Sequence, residues 1–370
     1  MPPAPPPPSD PLAGFDPLSH RLRAGRHVAQ LREGRTAELT LDAGLQAHVE
    51  EILKRYEVPY GALMAVEPRS GRVLAYVSHS SADPTVGDLV RDAAPPAASV
   101  FKVVTAAALL DAGVGPKRKV CYSGGMSSIQ LGDLVDRPRD HRCVTLSEAL
   151  GKSANSVFAK LAVRHLDRPT LSRYASAFGF GHSLPFDVPT ERSAIDVPGE
   201  RLEFARTAAG FWHSHLSPFH GALLAATVAN RGAMPRPSLV QQVTNRDGDV
   251  LHKFKAEEFR QVIPQGTARR LAQMMRTTVE SGTAHGAFFD DHGLAFLPGI
   301  EVAAKTGSLS SERPYRGYSW WVGFAPVDRP RIALSALVVN SPKWRIKSSY
   351  VAREALRKYL VVDHPQPRKR

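Results

Sequence analysis

Apolar runs of strand length lie towards both ends of this chain, with helical periodicity between them, and that order restricts the folds open to it. Residues 62–66 and 73–77 form one pair, separated by the turn residues Pro68, Arg69, Ser70 and Gly71. Residues 302–308, 319–325 and 332–339 form a second group broken by turns. The connections inside each group are too short for parallel crossovers, so antiparallel pairing is expected. Residues 147–165, 170–178, 218–229 and 264–281 carry helical patterns, and 348–360 read as a closing helix. The expected fold is α/β of the α+β type: one mostly antiparallel sheet built from both ends of the chain, flanked by helices, with a helical lobe.

Composition sets the ends apart. Residues up to about 12 are dominated by proline and residues 13–36 are arginine-rich, with room for one short helix. Residues 1–38 therefore read as a largely disordered tail or linker. A single domain is expected over 39–362, opening on a helix capped by Asp42 with Leu45, Val49, Ile52 and Leu53 on one face. Residues 363–370 read as a basic tail. The chain is 43% hydrophobic and 22% charged, as a soluble globular protein is, and no run of eighteen apolar residues offers a membrane span.

The net charge of +13 is concentrated between Arg21 and Arg35 and at Arg368, Lys369 and Arg370. It suits an anionic partner such as cell-wall polymer or phospholipid head groups, although a solvated basic surface explains it more simply. No nucleic-acid-binding signature accompanies it, so nucleic acid is not an expected partner. Cys121 and Cys143 flank an irregular stretch and read as a disulfide, which implies an oxidising compartment; two unrelated thiols are the alternative.

Three short motifs carry chemistry: Ser99-Val100-Phe101-Lys102, Ser153-Ala154-Asn155 and Lys305-Thr306-Gly307-Ser308. With 29 serines and 13 lysines, the first alone is expected about once by chance, but there are only four asparagines. All three in this order by accident comes to on the order of one in several hundred. Ser99 stands at the start of an expected helix over residues 98–112, after Pro95 and Pro96. Lys102 is one turn deeper on the same face. Val100, Phe101, Val103 and Val104 make that helix apolar nearly all round, so it reads as buried, and a buried lysine needs partners or a function.

To act as a base near neutrality, such a lysine must drop by roughly three pH units, or about 4 kcal/mol. Burial and a neighbouring cation achieve this, and Lys305 is the candidate cation. Ser153 can relay a proton and Asn155 can hold the amine, though both residue types also favour helix caps. Gly307 allows close approach to a strand edge, where Lys305, Thr306 and Ser308 can meet a carboxylate. The competing reading of that segment is an edge strand guarded by a lysine.

At these residues the sequence resembles the penicillin-binding transpeptidases. Further segments extend the resemblance over residues 39 to 360: Leu41-Asp42 with Leu45-Gln46, Glu67-Pro68 with Gly71-Arg72-Val73-Leu74-Ala75, Ala229-Asn230-Arg231-Gly232, Ser281-Gly282-Thr283-Ala284 and Trp321-Val322-Gly323-Phe324-Ala325-Pro326. Ser308 stands where threonine is commoner in the family. The resemblance implies that Ser99 is the nucleophile towards a D-Ala-D-Ala stem peptide of peptidoglycan. It implies Lys102 as general base, Ser153 and Asn155 as proton shuttle and substrate orienter, and Lys305, Thr306, Gly307 and Ser308 as the grip on the terminal carboxylate. The N–H groups of Ser99 and Ser308 would form the oxyanion hole, where one donor is worth roughly 3–4 kcal/mol. β-Lactam antibiotics would trap Ser99, other cell-wall synthesis proteins are expected partners, and no cofactor or metal is called for. The implied location is periplasmic, at the extracytoplasmic face of the cell membrane, with any export or anchor segment outside this chain.

Two alternatives stand beside this reading. One is a D,D-carboxypeptidase, β-lactamase or penicillin-sensing domain of the same fold; the sequence shows no clear deacylating glutamate motif. The other is an inactive cell-wall scaffold, against which the intact motifs argue. His213, His215 and His220 could suggest a metal, but acidic or sulfur partners are absent nearby in the sequence, so packed or surface histidines are expected.

Overall fold

The computed structural model describes residues 10–125 and 127–365. In chain order the first elements are β1 (Arg21–Arg23), β2 (Arg26–Gln30), β3 (Thr36–Leu39), α1 (Ala43–Arg55), β4 (Tyr60–Val66), β5 (Val73–His79) and α2 (Lys102–Asp111). The middle holds β6 (Lys119–Tyr122), β7 (Arg142–Thr145), α3 (Leu146–Gly151), α4 (Asn155–His165), α5 (Arg168–Phe178), α6 (Arg201–Ala208) and α7 (Pro218–Ala229). The rest comprises β8 (Ala233–Pro235), β9 (Val240–Thr244), β10 (Val250–Lys253), β11 (Glu258–Gln261), α8 (Gln265–Glu280), α9 (His285–Phe288), β12 (Ala303–Glu312), β13 (Tyr315–Ala325), β14 (Ile332–Asn340) and α10 (Ser348–Arg357).

The central sheet runs β12-β13-β14-β4-β5, every neighbour antiparallel, so both ends of the chain meet in one sheet as their apolar runs predict. Side chains alternate across it. Trp320, Val322 and Phe324 of β13 enter the core shared with α2 and α7, whereas Trp321 and Ala325 enter the core shared with α1 and α10. Helix α2 is buried from Lys102 to Leu110, in keeping with its lack of a polar face. Asp42 caps α1 by accepting from the Leu45 N–H at 2.8 Å.

Three sequence-based expectations need correction. Residues 10–38 are not a tail. Strands β1, β2 and β3 join β9 and β10 in a second five-stranded sheet, with Thr36 opposite Thr244 and Ala37 opposite Val243. Phe15, Ala29, Leu31 and Ala37 enter the same core as Val100. The inward residues of β2 are His27 and Ala29, too weak an apolar alternation to show as a strand, and the partner strand β9 comes from far along the chain. The proline-rich residues before Asp10, and Arg368, Lys369 and Arg370, lie outside the described residues.

The helix expected over residues 147–165 is two helices, α3 and α4, with Ser153 between them at φ +57°. Helix α3 ends at Gly151, where an added Cβ would come within 2.9 Å of the Thr277 backbone on α8. The stretch between Gly113 and Val144, expected to be loop-rich, contains the antiparallel pair β6 and β7. Cys121 and Cys143 face each other across that pair and form the disulfide, which removes the two-thiol alternative.

Candidate active site

Pro95 and Pro96 lead into a 3-10 turn over Ala98–Phe101 that continues as α2. Ala98 has φ +50°, a left-handed conformation that costs a non-glycine residue on the order of 1–3 kcal/mol. Its surroundings hold it there. Trp320 Nε1 donates to the Pro96 carbonyl at 2.9 Å, and the Ala97 N–H donates to the Ser214 carbonyl at 2.9 Å. Gly210 packs so closely that a Cβ would lie 2.3 Å from the Ala98 oxygen. The strained turn puts the partly exposed Ser99 at the tip of a buried helix.

The Lys102 side chain rises from the next turn and has no solvent exposure. Its Nζ donates to Ser99 Oγ at 2.8 Å, to Asn155 Oδ1 at 2.6 Å and to the Ala209 carbonyl at 2.6 Å. These satisfy the three donors of an ammonium. A neutral amine keeps two N–H donors, for Asn155 and Ala209, and its lone pair is then left facing Ser99, whose O–H becomes the donor. Burial holds Lys102 well below the ordinary lysine range, and the charge of Lys305 pushes it lower still.

Lys305, on β12, is also fully buried. Its Nζ donates to Ser153 Oγ at 3.0 Å and to the Thr306 carbonyl at 2.7 Å, and burial lowers it to about 7. Ser153 projects from the break between α3 and α4 in its left-handed conformation, and its hydroxyl accepts from a lysine instead of capping a helix. Asn155 is the first residue of α4 and turns its amide oxygen to Lys102. The capping readings of both residues are thereby set aside.

Gly307 explains how β12 lies so near the Ser99 turn. A Cβ there would sit 3.2 Å from Val100 Cγ2 and 3.3 Å from Ala98 Cβ, tighter than ordinary contact. β12 is the end strand of its sheet, and among the described residues no strand pairs with its other edge. Thr306 Oγ1 shares a short hydrogen bond with Thr283 Oγ1, and the Thr283 N–H donates to the Gly151 carbonyl at 3.0 Å. The segment after α8 thus ties β12 to the end of α3, which sets Lys305 against Ser153.

The space in front is a groove of about 600 Å³, lined by Asn155 and Ser308 among others and flanked by Trp212 and Trp344, both exposed. All eight sequence-derived candidates, Ser99, Lys102, Ser153, Asn155, Lys305, Thr306, Gly307 and Ser308, meet at or beside it. Sequence reasoning missed Ala209, which acts through a backbone carbonyl and leaves no side-chain signal. It also missed the trio at the groove wall: Glu203 accepts from Arg206 at 2.6 Å and bonds His213 Nε2 at 2.8 Å. The other two histidines go elsewhere, His215 to the Ala94 carbonyl at 2.7 Å and the buried His220 to the Phe178 carbonyl at 2.9 Å.

A nucleophilic hydroxyl, a buried amine against it and a cation beside a free strand edge are the parts of a serine acyl-transfer site. Residues 61–360 match the family model described as penicillin binding protein transpeptidase domain. The chain belongs to this family. Among curated relatives of this penicillin-binding transpeptidase domain is the peptidoglycan D,D-transpeptidase PbpA of Mycobacterium tuberculosis. It is 28% identical over 365 residues, which cover 87% of this chain and 72% of the relative. The peptidoglycan D,D-transpeptidase MrdA of Escherichia coli is 26% identical over 384 residues, covering 85% of this chain and 57% of the relative. The crystal structure of PBPA from M. tuberculosis superposes with a TM-score of 0.72 at 22% identity, covering 88% of this chain and 80% of that one. A ceftriaxone acyl-enzyme complex of the same protein superposes equally well, at 0.72 and 23% identity, covering 88% of this chain and 80% of that one. The expected antiparallel, helix-flanked fold is thus the family's fold.

Proposed function

We propose that this chain is a serine D,D-transpeptidase that cross-links peptidoglycan stem peptides through an acyl-enzyme on Ser99. The observation that carries the reading is the Lys102 amine, buried and 2.8 Å from Ser99 Oγ, with Lys305 and the free edge of β12 alongside. In the first half-reaction neutral Lys102 takes the Ser99 proton while Oγ bonds to the carbonyl carbon of the penultimate D-alanine. The oxyanion is received by the backbone N–H groups of Ser99 and Ser308. The carbon–nitrogen bond then breaks, and terminal D-alanine leaves with a proton on its amine, relayed through Ser153. In the second half-reaction an amine from a neighbouring stem peptide loses a proton to Lys102 and bonds to the ester carbon, and as the bond from that carbon to Ser99 Oγ breaks, Lys102 returns the proton to Ser99.

The donor peptide lies along β12 as an added strand, its carboxylate beside Lys305, Thr306 and Ser308. β-Lactams occupy the same place. The names of the relatives and the acyl-enzyme complex of a structural neighbour support this reading. The extracytoplasmic face of the cell membrane is the proposed location, in keeping with the Cys121–Cys143 disulfide, and other cell-wall synthesis proteins are proposed as partners. The hydrolase alternative finds little support at the groove wall, because Glu203 is already engaged by His213 and Arg206, which hold its carboxylate below the usual range. Fluorescent penicillin tests the reading: wild type should form a stable adduct and Ser99→Ala none. A folded wild type that fails to label, or rapid turnover of a chromogenic cephalosporin, would count against transpeptidation.

A further inference from the structure

At one end of the central sheet, away from the catalytic groove, two turns, the end of α7 and helix α8 surround a second cavity of about 750 Å³. It shares no lining residue with the groove. Five arginines line it: Arg69 from the β4–β5 turn, Arg231 two residues past the end of α7, Arg269 on α8, and Arg329 and Arg331 from the β13–β14 turn. Asp328 is the one carboxylate among the lining residues. The buried Val228 and Phe324 also line it, so the arginines share the cavity with apolar groups.

Arg331 apart, these arginines are exposed and the fold engages them little. Among the described residues, the side chains of Arg69, Arg231 and Arg269 have no hydrogen-bond or ion-pair partner. Arg329 meets only its neighbour Asp328, at 3.6 Å, with both side chains about two-thirds exposed. Arg331 is the one held in place, donating to the His364 carbonyl at 2.8 Å with its guanidinium 5.7 Å from the Tyr359 ring centre. Arg231 also sits in a left-handed conformation, φ +57°, in a turn closed by Gly232, where a Cβ would lie 2.1 Å from the Ile263 oxygen. Like charges gathered around one concavity repel, and low-dielectric walls focus their field on the space between them. A bound anion relieves that repulsion, and the planar guanidinium fork matches pairs of phosphate oxygens.

We propose that this cavity is a binding site for a phosphate-bearing anion, either a soluble phosphate compound or the headgroup of an anionic lipid. The site goes beyond the transpeptidase reading and does not depend on it.

Titration calorimetry with inorganic pyrophosphate tests the soluble source, and co-sedimentation with phosphatidylglycerol against phosphatidylcholine vesicles tests the lipid source. The cavity variant combines Arg231→Gln, Arg269→Gln and Arg329→Gln. A control variant, Arg21→Gln with Arg23→Gln and Lys255→Gln, removes the same charge elsewhere. Thermal melts followed by circular dichroism establish that both fold. Either probe bound by wild type and weakened about tenfold or more by the cavity variant alone supports the proposal and names the source. Equal weakening by both variants shows diffuse surface charge and overturns it. Binding unchanged in the cavity variant, or no binding of either probe at low salt, overturns it as well.

Discussion

The amine of Lys102 lies 2.8 Å from the hydroxyl of Ser99 and has no solvent-accessible surface. Its remaining contacts, Asn155 and the Ala209 carbonyl, accept hydrogen bonds, so the neutral amine is oriented with its lone pair towards Ser99.

Activity against pH follows from the two buried lysines. Lys102 must be neutral to act as base, and Lys305 must be charged to hold a carboxylate. Acylation by penicillin at low concentration should rise as Lys102 loses its proton and fall above about 7, where Lys305 loses its own. At saturating penicillin the bound carboxylate raises Lys305, and the alkaline limb moves up. Lys305→Met removes the cation that helps to lower Lys102, so its acid limb should move to higher pH. An acid limb that stays in place would show that Lys305 does not act on Lys102.

Stability against pH has a defined sign. In the folded protein both lysines sit below the ordinary lysine value of 10.5, so between about 7 and 10.5 the unfolded chain binds more protons. The penalty for burying Lys305 is fully present below about 7 and is lost as pH rises towards 10.5. Relative to Lys305→Met, wild type should therefore gain on the order of 4 kcal/mol across that window. Denaturant midpoints at pH 7 and pH 10 check it; a constant difference would contradict it.

Gly307→Ala should slow acylation about tenfold to a hundredfold, because its methyl pushes β12 away from Val100 and Ala98 in the Ser99 turn. The stability loss should be only about 1–2 kcal/mol. Stopped-flow penicillin kinetics and thermal melts separate the two effects.

The stretch between β6 and β7, which carries groove residues Ser127 and Ser128, is pinned by buried Lys160. That lysine bonds Asp140 and donates to the Cys121 carbonyl at 2.9 Å. The Lys160 hydrogen bond holds Asp140 down to about 2, so its stabilisation is present above 3.8 and is lost as pH falls towards 2. Lys160→Met should cost about 2–3 kcal/mol and admit protease to this stretch first. Limited proteolysis followed by mass spectrometry reads that outcome.

The catalytic motifs were legible because each is local: Ser99 and Lys102 are one turn apart, and Lys305 to Ser308 is one strand. Strands β4, β5 and β14 and the second half of β13 were legible because their apolar runs are continuous and buried, whereas β12 showed only through Val302, Ala303 and Ala304 and the motif that follows them. What the linear chain concealed is tertiary. Ala209 contributes a carbonyl that any residue could supply, and Glu203, Arg206 and His213 meet only after α6 and the following loop fold together. Thr283 stood out only by resemblance; its role is the contact with Thr306 and Gly151. β2 was missed because arginine, histidine and alanine there imitate a linker, although β9 supplies the other half of the sheet through β3.

Peptide mapping of the penicillin-treated protein tests the central claim most directly. Trypsin releases Asp92–Lys102, in which Ser99 is the only hydroxyl-bearing residue. That peptide should carry the mass of one opened penicillin in wild type and none in Ser99→Ala. An adduct on any other peptide, or one that survives in Ser99→Ala, would contradict the account.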